Sequence, residues 1–186
     1  MLALIKERLT TYTPRIIESP THTWAGVLIP IFEKDGDICI VLTKRTDTVR
    51  IHKGEVSFPG GVYEEKDGTT LETALRECGE EIGVQRKDIE IIGRIDDLYT
   101  LTGYVITPYV GIIPFPYPFK TNPQEVAYLI HLPFTFLKNT QPLIEEAEYR
   151  GRLEKVPSLH YNGDRIWGAT CRILLTLQRI IDHGQV

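Results

Sequence analysis

Apolar residues along this chain recur with two different periods, and each change of period marks a change of element. Leu71, Ala74, Leu75, Cys78 and Ile82 fall on one stripe at about 100° per residue, which predicts an amphipathic helix with that face toward a core. Thr69 with Glu72 three residues on reads as a capping box at its start, and Gly83 as its stop. Upstream, residues 24–33 and 38–43 are β-branched apolar runs split by Lys34-Asp35-Gly36-Asp37, a hairpin signal. Downstream, residues 89–95 and 104–113 read as strands, and Pro114, Pro116 and Pro118 stop the second. A mixed apolar run follows at 126–132, a helix begins at 134–138, and 147–152 pairs with 156–161 as strands before the turn at Asn162-Gly163. Ile173, Leu174, Leu177, Ile180 and Ile181 form the core stripe of a last helix over 169–183. At the other end, residues 2–12 predict a short helix through Leu2, Ile5 and Leu9, with a connector reaching residue 20. The elements do not alternate as a regular βαβ repeat, so the pattern predicts one mixed α/β (α+β) domain over residues 1–186.

Composition changes this picture little. At 186 residues, 42% hydrophobic and 25% charged, the chain suits one soluble domain with a proper core and is too short for two. A net charge of -4 without a basic block argues against nucleic acid as a partner, though a small nucleotide needs only a local pocket. Cys39, Cys78 and Cys171 lie far apart with no C-x-x-C pair, and read as buried thiols of a reducing compartment. No stretch is apolar enough to span a membrane and no leader is evident, so no membrane partner and a cytoplasmic location are expected. Nothing in the pattern sets an oligomeric state.

The chemistry gathers on the polar side of the central helix. Glu77, Glu80 and Glu81 project from an arc beside the apolar stripe, and like charges at i, i+3 and i+4 weaken a helix by a few tenths of a kcal/mol each. Such a cluster is commonly a solvated face, but a hard divalent cation reverses the sign, since Mg²⁺ favours carboxylates, water and substrate phosphate together. The upstream context favours the cation. Phe58-Pro59-Gly60-Gly61 is a turn that brings backbone close to whatever the helix faces. Before it runs a basic loop containing Arg45, Arg50, His52 and Lys53, which is either a solvated loop or a phosphate-recognition element.

These residues carry a resemblance. Gly61 followed by Arg76-Glu77-Cys78-Gly79-Glu80-Glu81-Ile82-Gly83-Val84 is similar to the Nudix hydrolase signature G-x5-E-x7-R-E-U-x-E-E-x-G-U, where U is a bulky apolar residue. Fourteen residues separate Gly61 from Arg76, one more than the pattern, and the acid six residues after Gly61 is Asp67 instead of Glu. Cys78 fills an apolar position, and Gly79 in mid-helix costs about 1 kcal/mol relative to Ala. Leu42-Thr43-x-Arg45, Arg50, Gly54 and Phe58-Pro59-Gly60-Gly61 further resemble L-L-T-x-R-[SA]-x3-R-x3-G-x3-F-P-G-G, the mark of the coenzyme A pyrophosphatase branch, with Val41 and Thr46 as conservative departures. The longer loop also looks like that branch.

The resemblance implies a Nudix-type α/β/α sandwich with a mixed β-sheet, and metal-assisted hydrolysis of a nucleoside-linked diphosphate. On that reading Glu77 and Glu81 hold Mg²⁺ or Mn²⁺ with help from Glu80 and the Gly61 carbonyl, while Arg76 orients the glutamates. Glu80 is the first candidate for general base, and Glu125, an acid outside the signature, is the second. Arg45, Arg50, His52, Lys53, Gly60 and Gly61 contact the substrate, expected to be a small nucleotide of the coenzyme A class cleaved to 3′,5′-ADP and 4′-phosphopantetheine. Two alternatives stand beside it: a Nudix pyrophosphatase of ADP-ribose or dinucleotides, and a catalytically silent nucleotide-sensing domain.

Overall fold

The two apolar runs near the N-terminus form a hairpin that parts, and the rest of the fold fills the gap. A computed structural model describes residues 1–18, 21–49, 52–149 and 151–184. After helix α1 (Leu2–Thr11), strands β1 (Thr23–Lys34) and β2 (Asp37–Arg45) pair antiparallel only from Ile31↔Ile40 to Lys34↔Asp37. Beyond that point β3 (Val56–Ser57) pairs with β2, and β4 (Gly60–Val62) pairs with β1. A 3-10 turn at Glu65–Asp67 leads into α2 (Thr70–Ile82). Then come β5 (Glu90–Arg94), β6 (Leu98–Tyr99), β7 (Tyr104–Ile112) and β8 (Val126–Pro133). The chain closes with α3 (Phe134–Asn139), β9 (Leu143–Tyr149), β10 (Arg152–Tyr161), β11 (Asp164–Trp167) and α4 (Gly168–His183).

The main sheet is mixed. β7 runs parallel to β1 along the edge opposite β4, and β8 lies antiparallel on the outer edge of β2. Period-2 alternation divides the strand residues between two faces. Leu28 and Phe32 of β1 and Cys39 and Val41 of β2 pack against Ala74, Cys78 and Ile82 of α2. Ile29, Ile31, Ile40 and Leu42 face the other way, into a core shared with α1 and α4. The result is the expected α/β/α layering.

Contact between α2 and the sheet is close enough to need a missing side chain. A Cβ on Gly26 would run into the backbone carbonyl of Thr70, so the first turn of α2 rests directly on β1. The N-terminal segment is tied down by two adjacent acids. Asp96 accepts from Tyr12 Oη (2.7 Å) and the Arg15 N–H (2.9 Å), and Asp97 accepts from the Ile17 N–H (3.0 Å) and Thr107 Oγ1 (2.9 Å).

One sequence expectation is corrected here. The strand pair is present, but its turn lies inside residues 147–152, with Gly151 at φ 75, so that β9 covers Leu143–Tyr149 and β10 already begins at Arg152. β9 pairs with β10, and β10 with β11, as a separate three-stranded sheet.

Candidate active site

Helix α2 presents its acids where the parted hairpin leaves backbone exposed. Thr69 Oγ1 caps the helix by accepting the Glu72 N–H at 3.2 Å, and Gly83, left-handed at φ 74, ends it with its N–H on the Gly79 carbonyl. These local signals fix which residues lie beneath β4. A Cβ on Gly61 would collide with the Glu77 carboxylate, and one on Gly60 would strike Gly26 and Val27 of β1. Gly60 is therefore required by its close approach to the sheet, while Gly61 leaves the space that the Glu77 side chain occupies.

Arg76 is the organiser of the outer acids. Its Nε and Nη2 bind the two oxygens of Asp67 at 2.8 and 3.1 Å, while Nη1 reaches Glu77 Oε1 at 2.7 Å and Glu80 Oε2 at 3.1 Å. Asp67 also accepts from Thr73 Oγ1 (2.8 Å) and from the Glu64 N–H (3.1 Å), closing the 3-10 turn. The guanidinium holds the Asp67 carboxyl well below the usual carboxylate range. The acid that departs from the signature thus clamps the arginine. Glu80 is the outlying member, 59% exposed at its side chain.

Glu81 is the opposite case. Its side chain is 3% exposed, and burial pushes its carboxyl up to about 8 against the lowering effect of Arg45. Arg45 Nη1 stands 3.7 Å from Glu81 Oε1, an ion pair without hydrogen-bond contact. Glu81 Oε2 and Arg45 Nε are both buried without a hydrogen-bond partner. Glu77 is likewise raised, first by burial, with Arg76 opposing.

Glu125 joins these two acids from the far side of the chain. The Asn122 N–H donates to the Glu81 carbonyl at 2.9 Å, and Asn122 Nδ2 donates to Glu125 Oε1 at 3.2 Å. Placed so, Glu125 raises the carboxyls of both Glu77 and Glu81 through its charge. The Thr46 N–H donates to the Glu125 carbonyl at 2.9 Å, linking the basic loop to the same corner.

Of the residues expected at the site, Gly60, Gly61, Arg76, Glu77, Glu81, Glu125 and Arg45 come together. His52 turns to Glu55, Nδ1 to Oε2 at 2.9 Å, and this hydrogen bond raises its pKa. Lys53 is exposed in the adjoining turn. Arg50 lies outside the described residues. Asn122 escaped the sequence reading, because its role depends on a contact with Glu81 that spacing along the chain does not encode.

The donor set suits a hard divalent cation. It consists of carboxylates and backbone oxygen, one carboxylate oxygen is buried without a partner, and the bare Gly61 backbone lets the Glu77 carboxylate lie directly against it. Among the described residues no three acids yet form a ready cage. Instead Glu77 leans on Arg76 and Glu81 on Arg45.

Comparison with known proteins agrees with this geometry. The NUDIX domain profile matches residues 22–159. The protein described as "Uncharacterized Nudix hydrolase NudL" from Photorhabdus laumondii is 34% identical over 157 residues, covering 84% of this chain and 83% of its own. Among solved structures, a MutT/nudix family protein from Enterococcus faecalis superposes with a TM-score of 0.57 at 14% identity, over 90% of this chain and 65% of that one. The NUDIX domain of Shewanella oneidensis NrtR, complexed with ADP ribose, gives 0.51 at 18% identity over 73% and 86%. Likenesses at that identity speak for the fold alone; the length of the profile match and the NudL relationship go further, and by them the chain belongs to the Nudix hydrolases, a family acting on pyrophosphate bonds.

Proposed function

We propose that this protein hydrolyses the diphosphate bond of coenzyme A or its derivatives, releasing 3′,5′-ADP and (acyl-)4′-phosphopantetheine, with Mg²⁺ or Mn²⁺ as cofactor. The observation that carries the chemistry is Glu77 packed on the Gly61 backbone one helical turn from the buried Glu81, whose carbonyl accepts from Asn122, the residue that also donates to Glu125. Glu77 and Glu81 would hold the cation, with Glu80 and the Gly61 carbonyl completing the set. When bound, a divalent cation supplies charge neutralisation of the diphosphate and acidifies a coordinated water. Arg76, locked by Asp67, keeps Glu77 and Glu80 in fixed directions.

For the general base, the position of Glu125 next to Glu77 and Glu81 favours it over Glu80, whose carboxylate is engaged by Arg76 at the exposed rim. Arg45, Arg50, His52 and Lys53 supply positive charge for the phosphates. The coenzyme A class rests on the similarity of residues 41–61 to that branch of the family, and is supported by Arg45 of the same motif lying at Glu81. A second reading takes ADP-ribose or a dinucleotide as substrate; the NrtR domain, which shares the fold, is complexed with ADP ribose.

The test is a product assay with Mg²⁺ and with Mn²⁺ on coenzyme A, ADP-ribose and NADH. The highest kcat/KM is expected on coenzyme A or an acyl derivative. Preference for ADP-ribose with coenzyme A untouched would move the assignment to the second reading, and no hydrolysis of any of the three would leave a nucleotide-binding domain.

A further inference from the structure

Two arginines meet the acids of this site, and they are held in opposite ways. Arg76 is saturated, with four contacts to Asp67, Glu77 and Glu80 between 2.7 and 3.1 Å. Arg45 is loose. It stands 3.7 Å from Glu81 with its Nε unpartnered, and the second oxygen of Glu81 is unpartnered too. Buried polar atoms left unsatisfied cost free energy, so a pair in which each member keeps one unpartnered atom, even with the Gly60 N–H also on the Glu81 carboxylate, is poised for a third participant. What Glu81 lacks is a cation; what Arg45 lacks is an acceptor. A divalent cation carrying a diphosphate offers both at once. Arg45 is also the residue placed to make the exchange, because it ends β2 at the register shift against β8, between Glu81 on one side and the loop bearing His52 on the other.

We propose that Arg45 is a stand-in cation: it neutralises Glu81 in the metal-free protein, yields that carboxylate to an incoming divalent cation, and turns its released guanidinium to the diphosphate. The proposal rests on the reading of Glu81 as a metal ligand and deepens it, since it makes metal and nucleotide binding cooperative through one side chain.

The exchange predicts effects of opposite sign from a single substitution. Mn²⁺ binding is followed by electron paramagnetic resonance of the free ion, for wild type and variants at one fixed neutral pH. Arg45→Gln removes the competing charge and should bind Mn²⁺ about tenfold more tightly in the absence of nucleotide. The same variant, saturated with Mn²⁺, should bind ADP about tenfold more weakly by calorimetry, having lost a charge-assisted hydrogen bond. Arg45→Lys, which keeps the charge and loses the planar fork, should hold Mn²⁺ within about threefold of wild type while weakening ADP. Weaker binding of both ligands by Arg45→Gln would mean a merely structural arginine, and an unchanged Mn²⁺ affinity would mean no exchange; either overturns the proposal while the metal site stands. A wild-type protein that binds no Mn²⁺, or Glu81→Gln binding it equally well, would remove the metal site and this proposal together.

Discussion

A carboxylate buried as deeply as Glu81 is a cost to the fold unless something uses it. Its side chain is 3% exposed, one oxygen has no partner, and its nearest cation stands off at 3.7 Å. Glu81→Gln keeps the shape and removes the charge. Turnover at saturating Mg²⁺ is expected to fall by about two to four orders of magnitude, the several kcal/mol attributed to metal-assisted catalysis. The unfolding temperature of the metal-free variant should be equal to or above that of wild type, because a desolvated charge has gone. Near wild-type turnover in Glu81→Gln would remove Glu81 from the metal set. The glutamates themselves were legible in the sequence, since helical spacing alone puts them on one arc. The loose partnership of Arg45 with Glu81 was not, because the end of β2 meets the end of α2 only in the folded sheet.

Elements differ in how locally they are written. Helix α2 was readable at both ends, since the Thr69 cap on the Glu72 N–H and the Gly83 stop act within a turn of themselves, although the Glu72 side chain pairs with Arg86 and closes no capping box. Strand β9 was readable only in part, because its end is set by the left-handed Gly151 and its burial is sparse, with Leu143 56% and Ile144 65% exposed. The N-terminal segment is another element held from a distance. Burial opposes ionisation of Asp96, yet donation from the Arg15 N–H and Tyr12 Oη, with the Arg15 charge, keeps its pKa below the usual value. A depressed folded pKa adds stability above the unfolded value of about 3.9 and loses it as pH falls through the folded one. Asp96→Asn should therefore destabilise the protein by about 1–3 kcal/mol at neutral pH in urea unfolding. That difference should shrink as the pH is lowered beneath about 4. A gap between variant and wild type that stays constant down to pH 2 would show that charge at Asp96 contributes nothing.

On the scale of the whole molecule, the span matched by the family profile is smaller than the core. Residues 22–159 leave out α1 and α4, and with them Ile5, Leu9, Ile173, Leu174, Leu177, Ile180 and Ile181, all buried in the larger apolar cluster. Burying one such side chain contributes roughly 1.5–3 kcal/mol, so the set rivals the roughly 5–15 kcal/mol that separates a typical domain from its unfolded state. A 22–159 fragment is expected to lack a cooperative thermal transition; a sharp one near that of the intact chain would show the family span to be self-sufficient. The parted hairpin has a mechanical meaning as well. Direct pairing of β1 and β2 stops at Ile31↔Ile40, and past it Gly61 rides with β1 while Arg45 belongs to β2 and Glu125 stands just before its neighbour β8. The site is therefore built across two strands that the turn at Asp35 and Gly36 joins and that part beyond Ile31↔Ile40. A substitution in that turn would therefore reach Gly61 and Arg45 only through the four pairs from Lys34↔Asp37 to Ile31↔Ile40, so the two halves of the site are carried by strands whose direct tie is short.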